Sequence, residues 1–530
     1  MGAIHYYEKE RVFKLDTPHT SYLIGIVDEE KFLGHIYYGA KITDYDVRAL
    51  MRTGEAPFVP SQNNRDRSSF LDAFPMEYPG HGVGDYRESA ISVADKNGNT
   101  AVQPLYREHK IYAGKPGLPG LPATFGSEEE CETLEIVLAD EVLDLTVTLY
   151  YTAFYDVDVI TRSVRVTNHA KEPVYLTKVF STALDLDAED YRMLTLHGSW
   201  ARERQIEYRQ IGYGKQSVGS CRGESSHQEH PFVALVSANA GQEQGRVYGF
   251  HFVYSGNFLA QVEKNQFDSL RVVLGIHPQD FRWELKQDET FTAPEVVMTY
   301  SDAGLGRMTR TLHDLYRKHL IRSPYKDRER PVLINNWEAT YFDFDTEKLL
   351  AIAREAKKSG IEMLVMDDGW FGHRNDDNTS LGDWQVNEQK ITGGLKRLVD
   401  QVNEIGLKFG IWFEPEMISP DSELYRTHPD WAIALPGRMP CRSRNQYVLD
   451  LSRKEVRDYA YECVASILRS ANIAYVKWDM NRQLTDLGSG VLPVEKQGEL
   501  LHRYVLGVYE LQERLITEFP QLLLENCSGG

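Results

Sequence analysis

The sequence predicts a multidomain β plus α/β fold: an antiparallel β-sandwich followed by a β/α barrel. Three observations carry this. Residues 1 to about 300 alternate apolar and polar side chains in runs broken by Asn, Gly and Pro. From Pro331 onward, short apolar runs alternate with helical patterns. The turns that follow those runs carry Trp, Asp and Glu rather than a glycine-rich nucleotide fingerprint, which favours a barrel over a doubly wound sheet. A chain of 530 residues is also too long for one core.

In the N-terminal part the clearest strands are Leu134-Glu135-Ile136-Val137-Leu138, Leu143 to Leu149, Ile160 to Val166, Val174 to Val179 and Arg246 to Val253. Period-two patterning means sheets with one wet face. About 300 residues of it predict a large two-sheet sandwich. Three loops stand out: the charged stretch Gln62 to Asp72, the glycine-rich Pro79 to Arg87, and His197-Gly198-Ser199-Trp200-Ala201-Arg202-Glu203-Arg204. Arg307 to Leu320 then turns helical through Met308, Leu312, Leu315, Tyr316 and Leu320, and Ser323 to Pro331 is charged and rich in breakers. The expected division is therefore residues 1–300 as β domain, 301–331 as helical linker and 332–530 as barrel.

Beyond Pro331 the elements follow in order. Val332-Leu333-Ile334 opens onto Asn335-Asn336-Trp337-Glu338. A helix capped by Asp345 or Thr346 runs through Leu349, Leu350, Ala353 and Ala356 to Gly360. Met363 to Met366 opens onto Asp367-Asp368-Gly369-Trp370, and the helix from Leu395 to Ile405 stops at Gly406. Phe409 to Ile411 leads to Trp412-Phe413-Glu414-Pro415-Glu416. Tyr447 to Leu451 is an ambiguous extra strand before a helix whose expected capping box is Ser452 with Glu455. Ile473 to Asp479, a helix from about Glu499 to Phe519, and Leu522 to Leu524 complete the pattern. That makes five strand–helix units in the 199 residues after Pro331. A barrel has eight in roughly 250 residues, so the barrel is expected to be incomplete in this chain.

Composition narrows the chemistry. Lys+Arg 59 against Asp+Glu 78 gives a net charge of −19, which argues against nucleic acid or anionic membrane as main partner. The start, Met1 to Phe13, has no apolar leader core. The five cysteines show neither metal nor disulfide spacing. A cytoplasmic protein without metal or other cofactor is the expectation.

If the barrel is right, the strand-end residues line one mouth: Trp337, Asp367, Asp368, Trp370, Trp412, Glu414, Glu416, Lys477, Asp479, Asn481, Arg482, Asn526 and Cys527. Asp479 lies two residues from Lys477 and three from Arg482. Such positive neighbours favour the anion that a carboxylate nucleophile requires. An ion-pair cluster behind a core strand is the competing reading. Two like charges after a buried strand, Asp367-Asp368, are harder to explain structurally. Adjacent carboxylates bind vicinal hydroxyls, and indoles pack on the apolar face of a sugar ring. Paired carboxylates are the apparatus of glycoside hydrolysis.

Together, Asn335-Asn336-Trp337-Glu338, Met366 to Phe371, Trp412 to Met417, Arg444-Asn445-Gln446, Lys477-Trp478-Asp479-Met480-Asn481 and Glu525 to Gly530 resemble the melibiase-type α-galactosidases of glycoside hydrolase family 36. The resemblance extends over the whole chain. It implies a β-supersandwich, a (β/α)8 TIM-type barrel and a C-terminal β domain, the last absent from this chain. It implies Asp479 as nucleophile of a retaining mechanism. It implies galactose binding by Asp367, Asp368, Arg444, Lys477, Asn481, Cys527, Gly529 and Trp412, with Trp337 and Trp200 near the sugar. The substrates implied are melibiose- and raffinose-type oligosaccharides, and the assembly is a family-type homotetramer.

The family's general acid/base follows the Cys-Ser-Gly-Gly loop and would fall beyond Gly530. Loss of general acid catalysis costs about 10²–10⁴-fold. The chain alone is therefore expected to be inactive or nearly so on melibiose. The alternatives are a catalytically dead galactoside-binding protein, or an α-N-acetylgalactosaminidase or transglycosylase of the same architecture.

Overall fold

The computed structural model describes residues 2–43, 50–51, 60 and 71–527. Most of the charged loop from Gln62, and Gly529 at the other end, lie outside the described residues. The chain divides into two compact units: Met1–Cys221 with His227–Ile321, and Arg222–Ser226 with Arg322–Gly530.

The first unit is built of antiparallel sheets. Ile4–Tyr7, Val12–Asp16, Thr20–Val27 and Phe32–Ala40 form a four-stranded meander. A ten-stranded sheet contains Cys131–Asp140, Leu145–Phe154, Val159–Asn168 and Val247–Val253. A six-stranded sheet is built on Val174–Asp187. The two larger sheets meet in a polar seam as well as an apolar one. Arg162 donates to the carbonyl of Ala183 at 2.5 Å, and its guanidinium lies 3.1 Å from Glu77.

The glycine-rich Pro79-to-Arg87 loop serves this interior. Asp85 and Arg87 form a closed ion-pair ring with Asp185 and Arg271, and all four side chains are buried. The helix Gly304–His319, expected as part of a linker, packs into the first unit. It buries Leu305, Met308, Leu312 and Leu315 against Phe154, Val236, Val247 and Val297. The helix therefore contributes core, while the charged residues that follow Ile321 belong to the second unit.

The second unit holds five parallel strands, neighbouring in chain order: Leu333–Asn335, Met363–Met366, Lys408–Phe413, Tyr475–Trp478 and Leu523–Asn526. Sequential order with crossover helices is the connectivity of a barrel wall. The helices between them are Thr346–Lys358, Leu395–Ile405, Lys454–Ser470 and Leu500–Glu518.

Local chemistry explains the boundaries. Asp345 caps its helix by accepting from the Lys348 amide at 2.9 Å. Gly406 ends its helix with φ 92°, a left-handed conformation that glycine adopts without strain. Leu395, Leu398, Val399 and Val402 form that helix's buried stripe, and Leu398→Ala should cost roughly 2–5 kcal/mol. Gly410 sits inside the third strand where a Cβ would come within 2.7 Å of the Tyr475 ring, so the close approach of the third and fourth strands requires glycine.

One ambiguity is resolved and one local expectation is corrected. Tyr447–Val448 is no member of the parallel wall; it pairs antiparallel with Met417–Ile418. The capping box is not made either. The helix begins at Lys454 with Arg453 at its N-cap and no side-chain cap. The Ser452 hydroxyl bonds to Asp450 instead, while Glu455 accepts from Arg453 at 2.8 Å. Asp450 is buried and takes both the amide and the hydroxyl of Ser452, so the hydroxyl is not left for the helix amides. Among the described residues no helix is long and apolar enough to cross a membrane.

Candidate active site

The strand ends of the second unit gather carboxylates, each held by its own hydrogen-bond partners. Asp479 follows the fourth strand, and its amide donates to the Phe413 carbonyl at 2.7 Å, which extends the register by one residue. Its carboxylate is buried at 6% exposure. Oδ2 accepts from the Trp412 indole Nε1 at 3.0 Å and from Asn481 Nδ2 at 2.6 Å. Oδ1 receives the Met480 amide at 3.1 Å. Uncharged donors thus hold this anion, and its two sequence-near cations bond elsewhere. Lys477 donates to Asp367 at 2.9 Å. Arg482 turns to the carbonyls of Gln446, Cys441 and Gln483. Lys477 and Arg482 therefore act on Asp479 through their charge at most, because strand geometry gives their hydrogen bonds to other neighbours.

Asp367 is also held by several partners. Its Oδ2 accepts from Lys477 Nζ and from Asn335 Nδ2 at 2.5 Å, and its amide donates to Asn336 Oδ1 at 2.7 Å. Burial works against the Lys477 ammonium, but the charge and hydrogen bond of Asp367, together with the fields of Cys527 and Asp479, outweigh it and hold the lysine above its ordinary value. Asp368 is only 4% exposed and takes a two-pronged contact from Arg374, Nε to Oδ1 at 2.9 Å and Nη2 to Oδ2 at 2.8 Å. Burial raises the Asp368 carboxyl above the usual aspartate value and Asp367 adds to this, while Arg374 and, at longer range, Arg444 oppose it. So the two adjacent carboxylates are separated electrically, one by a lysine and one by an arginine. Gly369, at φ 107°, turns the chain away directly after them.

An aromatic wall orients the Trp412 donor. The Trp412 ring lies nearly parallel to Phe371, with centroids 6.2 Å apart and planes 10° apart. Trp370 Nε1 donates to the Trp412 carbonyl at 2.9 Å. Trp337 is half-buried at the end of the first strand, edge-on to Tyr341 and Phe342. Cys527 is half-buried, and its amide donates to the Trp478 carbonyl at 2.7 Å, which places it beside Lys477 at the end of the fifth strand.

The structure brings together Asp479, Trp412 and Asn481, and likewise Asp367, Asp368 and Lys477. Arg444 is exposed, has φ 48° and reaches Asp368 only through its field. Trp200 belongs to the first unit, 79% exposed at the tip of the hairpin Tyr191–Ser199 and Arg202–Gln210. Glu414 was expected at the mouth without a role, Asn335, Asn336 and Gln446 stood only within the family-like motifs, and Arg374 was not singled out at all. The asparagines had a signal, standing directly after a strand. Arg374 had none, since it lies inside a long polar loop and only its burial at 1% exposure marks it. No cluster of three or more His, Cys, Asp or Glu suited to a metal ion occurs among the described residues.

Comparison with known proteins agrees across the chain. The Melibiase family model matches residues 290–530 and the Glycosyl hydrolase family 36 N-terminal domain matches residues 31–286. Alpha-galactosidase AgaA of Geobacillus stearothermophilus is 50% identical over all of this chain and 72% of its own length. Alpha-galactosidase Mel36A of Lactobacillus acidophilus is 46% identical with the same coverage. Among solved structures, the GH36 α-galactosidase AgaB of G. stearothermophilus superposes with a TM-score of 0.97 at 50% identity, over 100% of this chain and 72% of that one. Variants of AgaA in complex with raffinose and with stachyose each superpose with a TM-score of 0.96 at 50% identity, over 98% of this chain and 72% of theirs. The chain is a glycoside hydrolase and belongs to the melibiases of glycosyl hydrolase family 36.

Proposed function

We propose that the chain is a retaining α-galactosidase that removes terminal non-reducing α-D-galactose from melibiose- and raffinose-type oligosaccharides, with Asp479 as nucleophile. One observation carries the assignment of Asp479. Its Oδ2 is tied to two side-chain donors, Trp412 and Asn481, while Oδ1 has only the Met480 amide. A carboxylate clamped at one oxygen presents the other in a defined direction. Oδ1 attacks the anomeric carbon as the C1–O bond breaks, its electron pair going to the leaving oxygen, which takes a proton from a separate general acid; water, giving its proton back to that group, then opens the ester in a second displacement. Asp367 and Asp368 accept from galactose hydroxyls, and Lys477 and Arg444 supply positive charge beside them. Substrates of relatives support the class: AgaA variants are known in complex with raffinose and stachyose.

A 2-deoxy-2-fluoro-α-galactosyl fluoride tests the nucleophile by itself, because fluoride departs without protonation. Labelling adds one fluorogalactosyl group to Asp479 by peptide mass spectrometry, and Asp479→Asn lowers the labelling rate by roughly 10⁴-fold or more. A label on another carboxylate would sink the assignment. Competition by N-acetylgalactosamine equal to that by galactose would move the chain to the α-N-acetylgalactosaminidases.

A further inference from the structure

Glu414 is buried at 1% exposure at the end of the third strand, next to the nucleophile and outside the set of sugar-binding residues. Its Oε1 accepts twice, from the Asn481 backbone amide at 2.6 Å and from Gln446 Nε2 at 2.6 Å. Both donors lead to functional groups. Asn481 gives its side chain to Asp479. Gln446 ends the tight loop that carries Arg444, where Arg444 and Asn445 stand consecutively at φ 48° and 62°. Two non-glycine residues in the left-handed region cost of order 1–3 kcal/mol each and persist only where the surroundings over-determine them. Here the loop is pinned at Gln446 from two sides, by Glu414 at its side chain and by Arg482 Nη1 at its carbonyl, 2.7 Å away.

We infer that Glu414 is a positioning residue that works as a neutral carboxylic acid, fixing the Asn481 donor against Asp479 and the Arg444 loop at once. This rests on the reading of Asp479 as nucleophile. The groups facing Glu414 are Asp479 and Asn481 from the fourth strand end and Gln446 from the loop; Arg482 stands behind Gln446. Glu416, two residues on, points elsewhere, to Trp478 and Tyr504. Burial and the adjacent Asp479 charge push the Glu414 carboxyl up to about 8. Ionisation there sets a second anion beside Asp479 in a water-poor site. Repulsion then turns the Asp479 carboxylate off its two donors.

The test is the rate of labelling by the galactosyl fluoride against pH, with the full chain. The step is balanced: the C1–F bond breaks, fluoride leaves with its electron pair, the Asp479 ester forms, and no proton moves. Labelling by the unsubstituted chain should fall as pH rises through about 8. Glu414→Gln, which keeps an uncharged acceptor, should lack that alkaline limb. Glu414→Ala should label roughly tenfold or more slowly at pH 6.5, and Gln should recover most of that loss. An alkaline limb unchanged in Glu414→Gln overturns the inference, as does an alanine variant that labels as fast as the glutamine one. Absence of any label on Asp479 in the unsubstituted chain defeats the nucleophile reading first and this inference with it.

Discussion

The indole of Trp412 donates a 3.0 Å hydrogen bond to Oδ2 of Asp479 from the neighbouring parallel strand. The bond crosses a register in which Trp412 stands opposite Lys477, so one side-chain donor to Asp479 comes from the next strand, beside Asn481 from its own segment. Trp412→Phe keeps an aromatic ring in the stack and removes the donor. A hydrogen bond to a charged acceptor is worth about 1.5–3 kcal/mol, so Asp479 labelling should slow by roughly 10–100-fold. The half-saturating concentration of the fluoride should change far less. A variant that loses binding and keeps the labelling rate would contradict the assignment.

Lys477 neutralises Asp367 across the intervening third strand. Lys477→Met leaves Asp367 with Asn335 as its side-chain donor and removes the positive charge from the mouth. Galactose affinity, measured by calorimetry, should weaken by at least about tenfold, the equivalent of about 1.4 kcal/mol. An unchanged affinity would show that Asp367 does not meet the sugar.

Arg374 is expected to matter for stability as well as binding. Its planar fork matches both oxygens of Asp368, and a lysine cannot reproduce that geometry. Removing one partner of a buried pair outright costs about 3–5 kcal/mol. Arg374→Met should therefore lower the denaturation midpoint markedly, and Arg374→Lys should lower it less while still weakening galactose binding.

Stability should also carry a pH signature of Glu414. Its carboxyl is raised to about 8 in the folded chain by burial and by Asp479, against about 4.3 in an unfolded one. Between those values the folded state holds the proton that the unfolded state has released. Stability from this group is thus full below about 4.3 and is lost progressively as pH rises to about 8. The slope approaches about 1.4 kcal/mol per pH unit at most. Glu414→Gln carries no such loss, so its stability relative to the parent should improve from pH 5 to pH 8 and level off above. A constant difference in chemical denaturation across that range would rule this out.

The strand-and-helix grammar of the second unit was legible because buried parallel strands are apolar runs and their helices carry caps and stripes. Leu395 to Gly406 and Met363 to Met366 needed no tertiary information. The strand-end residues were legible for the same reason: a polar residue directly after a buried strand has few places to go. The Ser452 cap was misread because Asp450, two residues away, competes for the same hydroxyl.

The sequence alone determined the order of sheets and barrel strands, the family, and the carboxylates Asp367, Asp368 and Asp479 as a group. These follow from local patterning, since each residue's place along a strand is set by its own neighbours in the chain. The tertiary structure decided the partners. Lys477 lies two residues from Asp479 and bonds Asp367, 110 residues away; Arg482 lies three from Asp479 and holds a loop. Asp479 is instead held by Trp412 and Asn481, and Asp368 by Arg374. Charge pairing depends on distances in space of about 3 Å, and adjacent positions at a strand end project along diverging directions. Only the register of the five strands determines which groups meet.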